Sequence, residues 1–312
     1  MLWAVASLVL AAVIVPWLYA WGKNLAAVTA VEDVPGLLEW LGAACGRADF
    51  GRYLSRALVI AAVVLLPFLF WRVHGLGVMA WGIREAGARL SWKSAWVQMA
   101  VGWVVAGGIL WATGILLEAL GAYAARPQPV AWSRLAARVV GAAVGASILE
   151  EWLFRGLLLG LWLRFARPLA ACVGSSLFFA FIHFLKLPEG VVIAAPTSAV
   201  AGFEFLGKIL LHFTEPLFFV ADFTTLFVVG MILSQARLRT GALWFPIGLH
   251  AGWIMAFKSF NLYYFSVSGH PLHPWGVGET LRSGLVPMLA LALTAVICHF
   301  ILRRFEPVPP SR

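Results

Sequence analysis

Apolar residues run along this chain in long blocks separated by mostly short polar connections. A helix that crosses a bilayer needs about 20 predominantly apolar residues. Eight stretches meet that length or approach it, at roughly 2–22, 56–73, 98–122, 138–162, 168–186, 216–236, 241–258 and 284–302. The pattern predicts an all-α polytopic membrane protein of about eight transmembrane helices. The first block lacks a basic start and a small-x-small cleavage site, so it reads as a retained helix and not as a signal peptide. Residues 23–55 read as a polar loop or interfacial segment, and 74–97 as a possible amphipathic stretch. Residues 187–215 read as an interfacial or re-entrant helix near a functional opening. Residues 259–283 read as a structured loop rich in Gly, Pro, His and aromatics.

Composition agrees with this pattern. Hydrophobic residues make up 62% of the 312 residues and charged residues 12%, against about 25% charged in a soluble domain. A globule this apolar could not cover its own surface, and a disordered chain would not carry so much surface to bury. The net charge of +9 would suggest nucleic acid in a soluble protein. Here the basic residues flank apolar blocks, so they are read as contacts to membrane lipid and no nucleic-acid partner is expected. They divide evenly between the two sides. The pairs Arg164/Arg167, Arg237/Arg239 and Arg303/Arg304 abut spans directly and tip the reading toward both termini inside. Cys45, Cys172 and Cys298 are far apart and suggest neither a disulfide framework nor a zinc knuckle.

Charge inside hydrocarbon is costly, about 2.5–3.5 kcal/mol per residue on insertion scales. The ionisable residues within the predicted spans are Glu118, Glu150, Glu151, Arg155, His183, Asp222, His250 and His299. Glu151 and Arg155 are spaced i, i+4 and can pair on one helix face. Glu150 points about 100° away from Glu151 and has no counter-charge on its own helix, which suits a general base. The alternative is a buried ion-pair network that locks helix packing. Phe179 and His183 lie one turn apart, and Gly174, Ser175 and Ser176 permit close approach of a neighbouring helix. His250 lies well inside its block, four residues after Pro246. The HExxH, GxSxG and Walker patterns are absent.

Glu150-Glu151-x-x-x-Arg155, then Phe179-x-x-x-His183, then His250 resemble the motifs EExxxR, FxxxH and HxxxN/D, in that order, of the CPBP family. This is the CAAX-processing and bacteriocin-processing (Abi) family of intramembrane endopeptidases. The resemblance covers about residues 130–260. It implies a glutamic-type protease with a CAAX-protease-like helical bundle. By that resemblance Glu150 would activate the attacking water, assisted by His183, and His250 would stabilise the oxyanion. Glu151 and Arg155 would be the supporting pair, with Phe179 beside them. Residues 1–129 would then be N-terminal helices and loops, 130–260 the catalytic core, and 261–312 a loop and C-terminal helix. Ile254 stands where the family has Asn or Asp, so either another donor serves the oxyanion or activity is reduced or lost. The expected partners are the lipid bilayer and a membrane-associated peptide or protein, and the expected location is a bacterial inner membrane. No cofactor is expected, although Glu150, Glu151, His183 and His250 are also plausible metal ligands. Two other functions fit the same residues: a non-catalytic binding or immunity protein, and a transporter with a proton relay. The lack of inverted repeats weighs against the transporter.

Overall fold

The structure, a computed structural model, describes residues 2–32, 35–65, 67–68, 71, 92–127, 139–185 and 191–303. It is helical, with one short ladder. In chain order the elements are α1 (Leu2–Thr29), α2 (Gly36–Arg47), α3 (Phe50–Val64), α4 (Trp92–Ala119) and β1 (Tyr123–Ala125). Next come α5 (Gly141–Glu151), a π-helical stretch (Trp152–Leu158), α6 (Leu159–Trp162), α7 (Pro168–His183) and α8 (Ala201–His212). A second π-helical stretch (Phe218–Phe223) leads into α9 (Thr224–Thr240), followed by α10 (Trp244–Tyr263), β2 (Tyr264–Ser266) and α11 (Leu285–Leu302).

Among the described residues four helical segments are long and apolar enough to cross a membrane: Trp3–Thr29, Trp92–Ala119, Phe218–Thr240 and Leu285–Leu302. The chain is therefore an integral membrane protein, but the expected eight spans are not all confirmed. The reasons differ by block. The apolar helix Pro168–His183 has only 16 residues. The 138–162 block is interrupted by its π-helical stretch. The 241–258 block becomes α10, whose hydropathy is lowered by His250, Lys258 and Asn261 and whose surroundings are protein. The 56–73 block lies partly outside the described residues, as does most of 74–97. Residues 23–55 are mostly helical and not a loop: α1 runs on to Thr29, and α2 and the start of α3 follow.

The chain divides into two compact units. One is Met1–Met79 with His183–Glu215; the other is Ala80–Ile182 with Pro216–Arg312. In the first, α1 and α3 pack through Ala11, Val15, Ala57 and Ala61 with Phe205 and Ile209 of α8. Lys23 Nζ donates to the carbonyls of Gly46 and Ala48 at 2.7 and 2.9 Å, closing the end of α2. Asp49 accepts from the Arg52 N–H at 2.7 Å and caps α3. The 12 residues of α8 are too few to span. Its inner face is Ala201, Gly202, Phe205 and Ile209, and Glu204 pairs with Lys208 at 2.7 Å. A helix is thus present within 187–215.

In the second unit α4 and α10 lie side by side and parallel. Their approach is set by glycine. A Cβ on Gly248 would overlap the Met99 carbonyl, and one on Gly252 would lie 2.5 Å from that of Trp103. From α4, a Cβ on Gly102 would lie 2.7 Å from the Phe245 carbonyl. Small residues of this kind let helix backbones touch where lipid offers no hydrophobic drive for association. Both helices end at the ladder, where Ala124 pairs with Phe265. The loop expected over 259–283 begins only after β2, because α10 runs to Tyr263; it is ordered there by three bonds: Tyr123 O–H to Gly278 O at 3.0 Å, His270 Nε2 to Leu120 O at 3.2 Å, and Leu281 N–H to Asn261 Oδ1 at 3.3 Å. Burial pushes the Tyr123 hydroxyl above its usual range. Next to it, α9 and α11 run parallel to each other and opposite to α4 and α10. Their starts are tied by Gly284 N–H to Ala221 O at 3.4 Å, and their ends meet at Arg239 and His299.

Candidate active site

Arg155 is the largest fully buried side chain. It sits in the π-helical stretch that continues α5, where the wider turn departs from the regular helix; such turns are frequent at functional sites. A guanidinium in such a place needs compensation, and three groups supply it. Arg155 Nη1 donates to Glu151 Oε1 at 2.8 Å, with both side chains excluded from solvent. Arg155 Nη2 donates to the Gly230 carbonyl at 3.3 Å. The Arg155 Cζ also lies 4.4 Å from the centroid of the Phe179 ring, within cation–π range. The i, i+4 pairing read from the sequence is present.

Gly230 is reachable because α9 and α7 touch. A Cβ on Gly230 would lie 2.7 Å from Ser176 Cβ. The small residues of α7 thus do what their size suggested. Phe179 is in turn fixed on two sides. Its ring is perpendicular to Phe154 at 5.0 Å and edge-to-face with His250 at 5.9 Å. One aromatic ring therefore separates the arginine from the histidine and contacts both.

His250 comes from α10, in the turn between Gly248 and Gly252. Its Nδ1 is 2.8 Å from Glu151 Oε1, and its Nε2 is 3.8 Å from Glu150 Oε2. A carboxylate can only accept, so Nδ1–H donates to Glu151. Nε2 is then turned toward Glu150. The two carboxylates differ in access: the Glu151 side chain is 0% exposed, that of Glu150 27%. The order Arg155–Glu151–His250–Glu150 runs from the interior to the more accessible carboxylate. A buried carboxylate that fixes the imidazole tautomer is how catalytic triads orient their histidine.

The structure thus gathers Glu150, Glu151, Arg155, Phe179 and His250. His183 is the half-buried last residue of α7, one turn beyond Phe179, and belongs to the other compact unit. Ile254 is half-buried on α10, and Asn261 is occupied with the loop bond to Leu281. Sequence reasoning missed the Glu151–His250 bond and the Gly230 acceptor. Their partners are 99 and 75 residues apart, where helical spacing carries no signal. Among the described residues no group of three His, Cys, Asp or Glu side chains is arranged to hold a metal ion. Glu151 Oε1 already takes both Arg155 and His250.

Residues 132–256 match the family described as Type II CAAX prenyl endopeptidase Rce1-like. This segment is similar to the CAAX-endopeptidase family. The match covers about two-fifths of the chain, and the family is one of proteases. It begins before Glu150 and ends after Ile254, so it contains all three motif positions and the departure from the third. No curated protein and no solved structure matches the chain. Within the matched segment the paired glutamates, Arg155, Phe179 and His250 form one connected cluster.

Proposed function

We propose that the chain is a glutamic-type intramembrane endopeptidase that hydrolyses a peptide bond in a membrane-associated protein or peptide. The observation that carries this reading is the pairing of a partly accessible carboxylate, Glu150, with an imidazole held from behind by Glu151. One water can contact Glu150 Oε2 and His250 Nε2 together at ordinary hydrogen-bond lengths. Glu150 takes a proton from that water as its oxygen attacks the scissile carbonyl carbon. His250 donates Nε2–H to the resulting oxyanion. Because Nδ1–H is directed at Glu151, the ring then carries both protons. With Glu150 protonated, the charges of Glu150, Glu151, Arg155 and His250 sum to +1, which offsets the oxyanion. By the family resemblance His183 assists Glu150 in activating the water. Collapse breaks the C–N bond, and the proton on Glu150 passes to the leaving amine. Phe179 holds Arg155, and Arg155 holds Glu151; these are positioning residues.

The substrate classes that fit are a prenylated tail, a bacteriocin leader and a C-terminal sorting helix, presented in a bacterial inner membrane. The test is accumulation of an unprocessed membrane substrate in cells carrying Glu150→Gln or His183→Ala. Both variants are expected to accumulate it, and normal processing by both would refute the protease reading. Activity that survives chelators is expected, and loss in chelator with recovery on adding Zn²⁺ would point to a metal-dependent mechanism instead. Ile254 favours a second reading, a non-catalytic binding or immunity protein built on the same bundle. Under that reading Glu150→Gln leaves the phenotype unchanged.

A further inference from the structure

Hydroxyl side chains inside helices commonly bond back to the carbonyl four residues earlier. Thr225, Thr240 and Thr294 do so, to Ala221, Ala236 and Ala290 at 2.6, 2.9 and 2.8 Å. Ser176 of α7 and Ser234 of α9 do not, although both are 0% exposed. Among the described residues neither hydroxyl oxygen has a hydrogen-bond partner. The carbonyls supply the reason. A carbonyl oxygen has two lone pairs, and the helical N–H four residues on takes one. For Ser176 the acceptor would be Cys172 O, which also accepts from Ser175 Oγ at 3.2 Å. For Ser234 it would be Gly230 O, which also accepts from Arg155 Nη2 at 3.3 Å.

Both hydroxyls belong to one place. A Cβ on Gly230 would lie 3.0 Å from Ser176 Oγ. On α9, Ser234 projects about 40° from the direction of Gly230 and about 60° from that of Met231. Gly230 faces Ser176, and Met231 packs with Cys172, one turn before Ser176. Ser234 therefore points to the same side of α7. Its side chain leans back toward the start of α9, over the turn that holds Gly230. Leaving a buried hydroxyl without a bond is costly, and here two of them adjoin the carbonyl that holds Arg155.

We propose that Ser176, Ser234 and Arg155 bind one buried water between α7 and α9, and that the two serines are positioning residues for the Arg155–Glu151 pair. Arg155 has five N–H groups, of which Glu151 Oε1 and Gly230 O take two. A water beside Gly230 accepts another from the guanidinium, accepts from one serine O–H and donates to the Oγ of the other serine. That gives it three bonds, the usual number for a buried water. The serines then act on Glu151 through Arg155, by fixing the Nη2 side of the guanidinium while Nη1 holds the carboxylate. This role does not depend on the proposed peptidase activity.

The test is the sign of a stability change, read as the unfolding midpoint of the purified full-length chain in detergent. If the hydroxyls hold nothing, Ser176→Ala and Ser234→Ala each remove a buried unpaired group and raise the midpoint or leave it unchanged. With a shared water, each variant is expected to lower it by about 2–4 °C. The double variant should lose little more than either single one, because one water serves both hydroxyls. Hydroxyl-radical labelling in ¹⁸O water gives a readout that packing alone does not move. Cys172, 2% exposed, should gain ¹⁸O in the wild type. Cys298, 3% exposed on α11, should not, since Thr294 one turn before it is already bonded. In the double variant the Cys172 label should fall to the Cys298 level. A raised or unchanged midpoint in either single variant overturns the proposal, as do additive losses in the double variant. Equal labelling of the two cysteines in the wild type also overturns it, and that comparison holds even where the double variant does not fold.

Discussion

Arg155 and Glu150 bracket the site and should respond to mutation in opposite ways. Arg155 is compensated by Glu151, the Gly230 carbonyl and the Phe179 ring, and removing one partner leaves a charge buried without its mate. Glu151→Ala and Arg155→Met are therefore expected to destabilise the protein by about 3–5 kcal/mol, seen as a lower unfolding midpoint in detergent. A midpoint unchanged in both would show that the pair does not support the fold. Glu150 is partly exposed, so Glu150→Gln should leave the midpoint nearly unchanged while lowering turnover by about 10²–10⁴-fold. Phe179→Leu keeps an apolar side chain but is smaller and removes the cation–π face. The expected cost is about 1–2 kcal/mol, with a loss of activity because Arg155 and His250 both lose their shared wall. An activity equal to wild type would count against that positioning role.

At the scale of elements the site depends on how closely α4 carries α10. Gly248→Ala would place a methyl group into the Met99 carbonyl, so it should destabilise the bundle and displace His250. Gly108 lies on the same α4, but a Cβ there meets nothing within 4 Å. Gly108→Ala should be neutral or stabilising by up to about 1 kcal/mol through helix propensity. Equal unfolding midpoints for the two variants would contradict this picture of glycine contact. Here the limits of sequence reading are clear. The Glu151–Arg155 pair was legible because helical geometry fixes i, i+4 neighbours. The close packing of α7 was legible from Ser175 and Ser176. The Glu151–His250 bond was not, because it joins α5 to α10 and depends on how those helices pack. The π-helical stretches at Trp152–Leu158 and Phe218–Phe223 left no pattern in residue type. α10 read as a membrane span because of its length, although protein covers much of it. The loop alternative for 23–55 failed because short helices closed by Lys23 and capped by Asp49 form there.

For the molecule as a membrane protein, the sided charge of the unit that carries the glutamates predicts orientation. Counting basic residues along the chain gave no majority, because that count mixed loops of both units. The helix polarities sort them. Among the described residues the end with Arg239 and Arg303 carries no acids, whereas the ladder end holds Glu118, Asp222 and Glu279. At that ladder end Arg282 is pushed below its usual range by burial, opposed by the Asp222 carboxylate. The positive-inside tendency places the Arg303 end in the cytoplasm. With Cys45 replaced by Ala, a cysteine at Arg303 should react only with reagent on the cytoplasmic side and one at Glu279 only from outside; the reverse labelling would invert the orientation. The central claim is that Glu150, facing a histidine held by Glu151, activates water for peptide hydrolysis. Its most direct measurement is release of cleaved peptide, followed by mass spectrometry, from a membrane-peptide library. Wild type and Glu150→Gln proteins would be compared at matched unfolding midpoints. The account predicts cleavage by the wild type and its loss in the variant, and equal cleavage by both would contradict it.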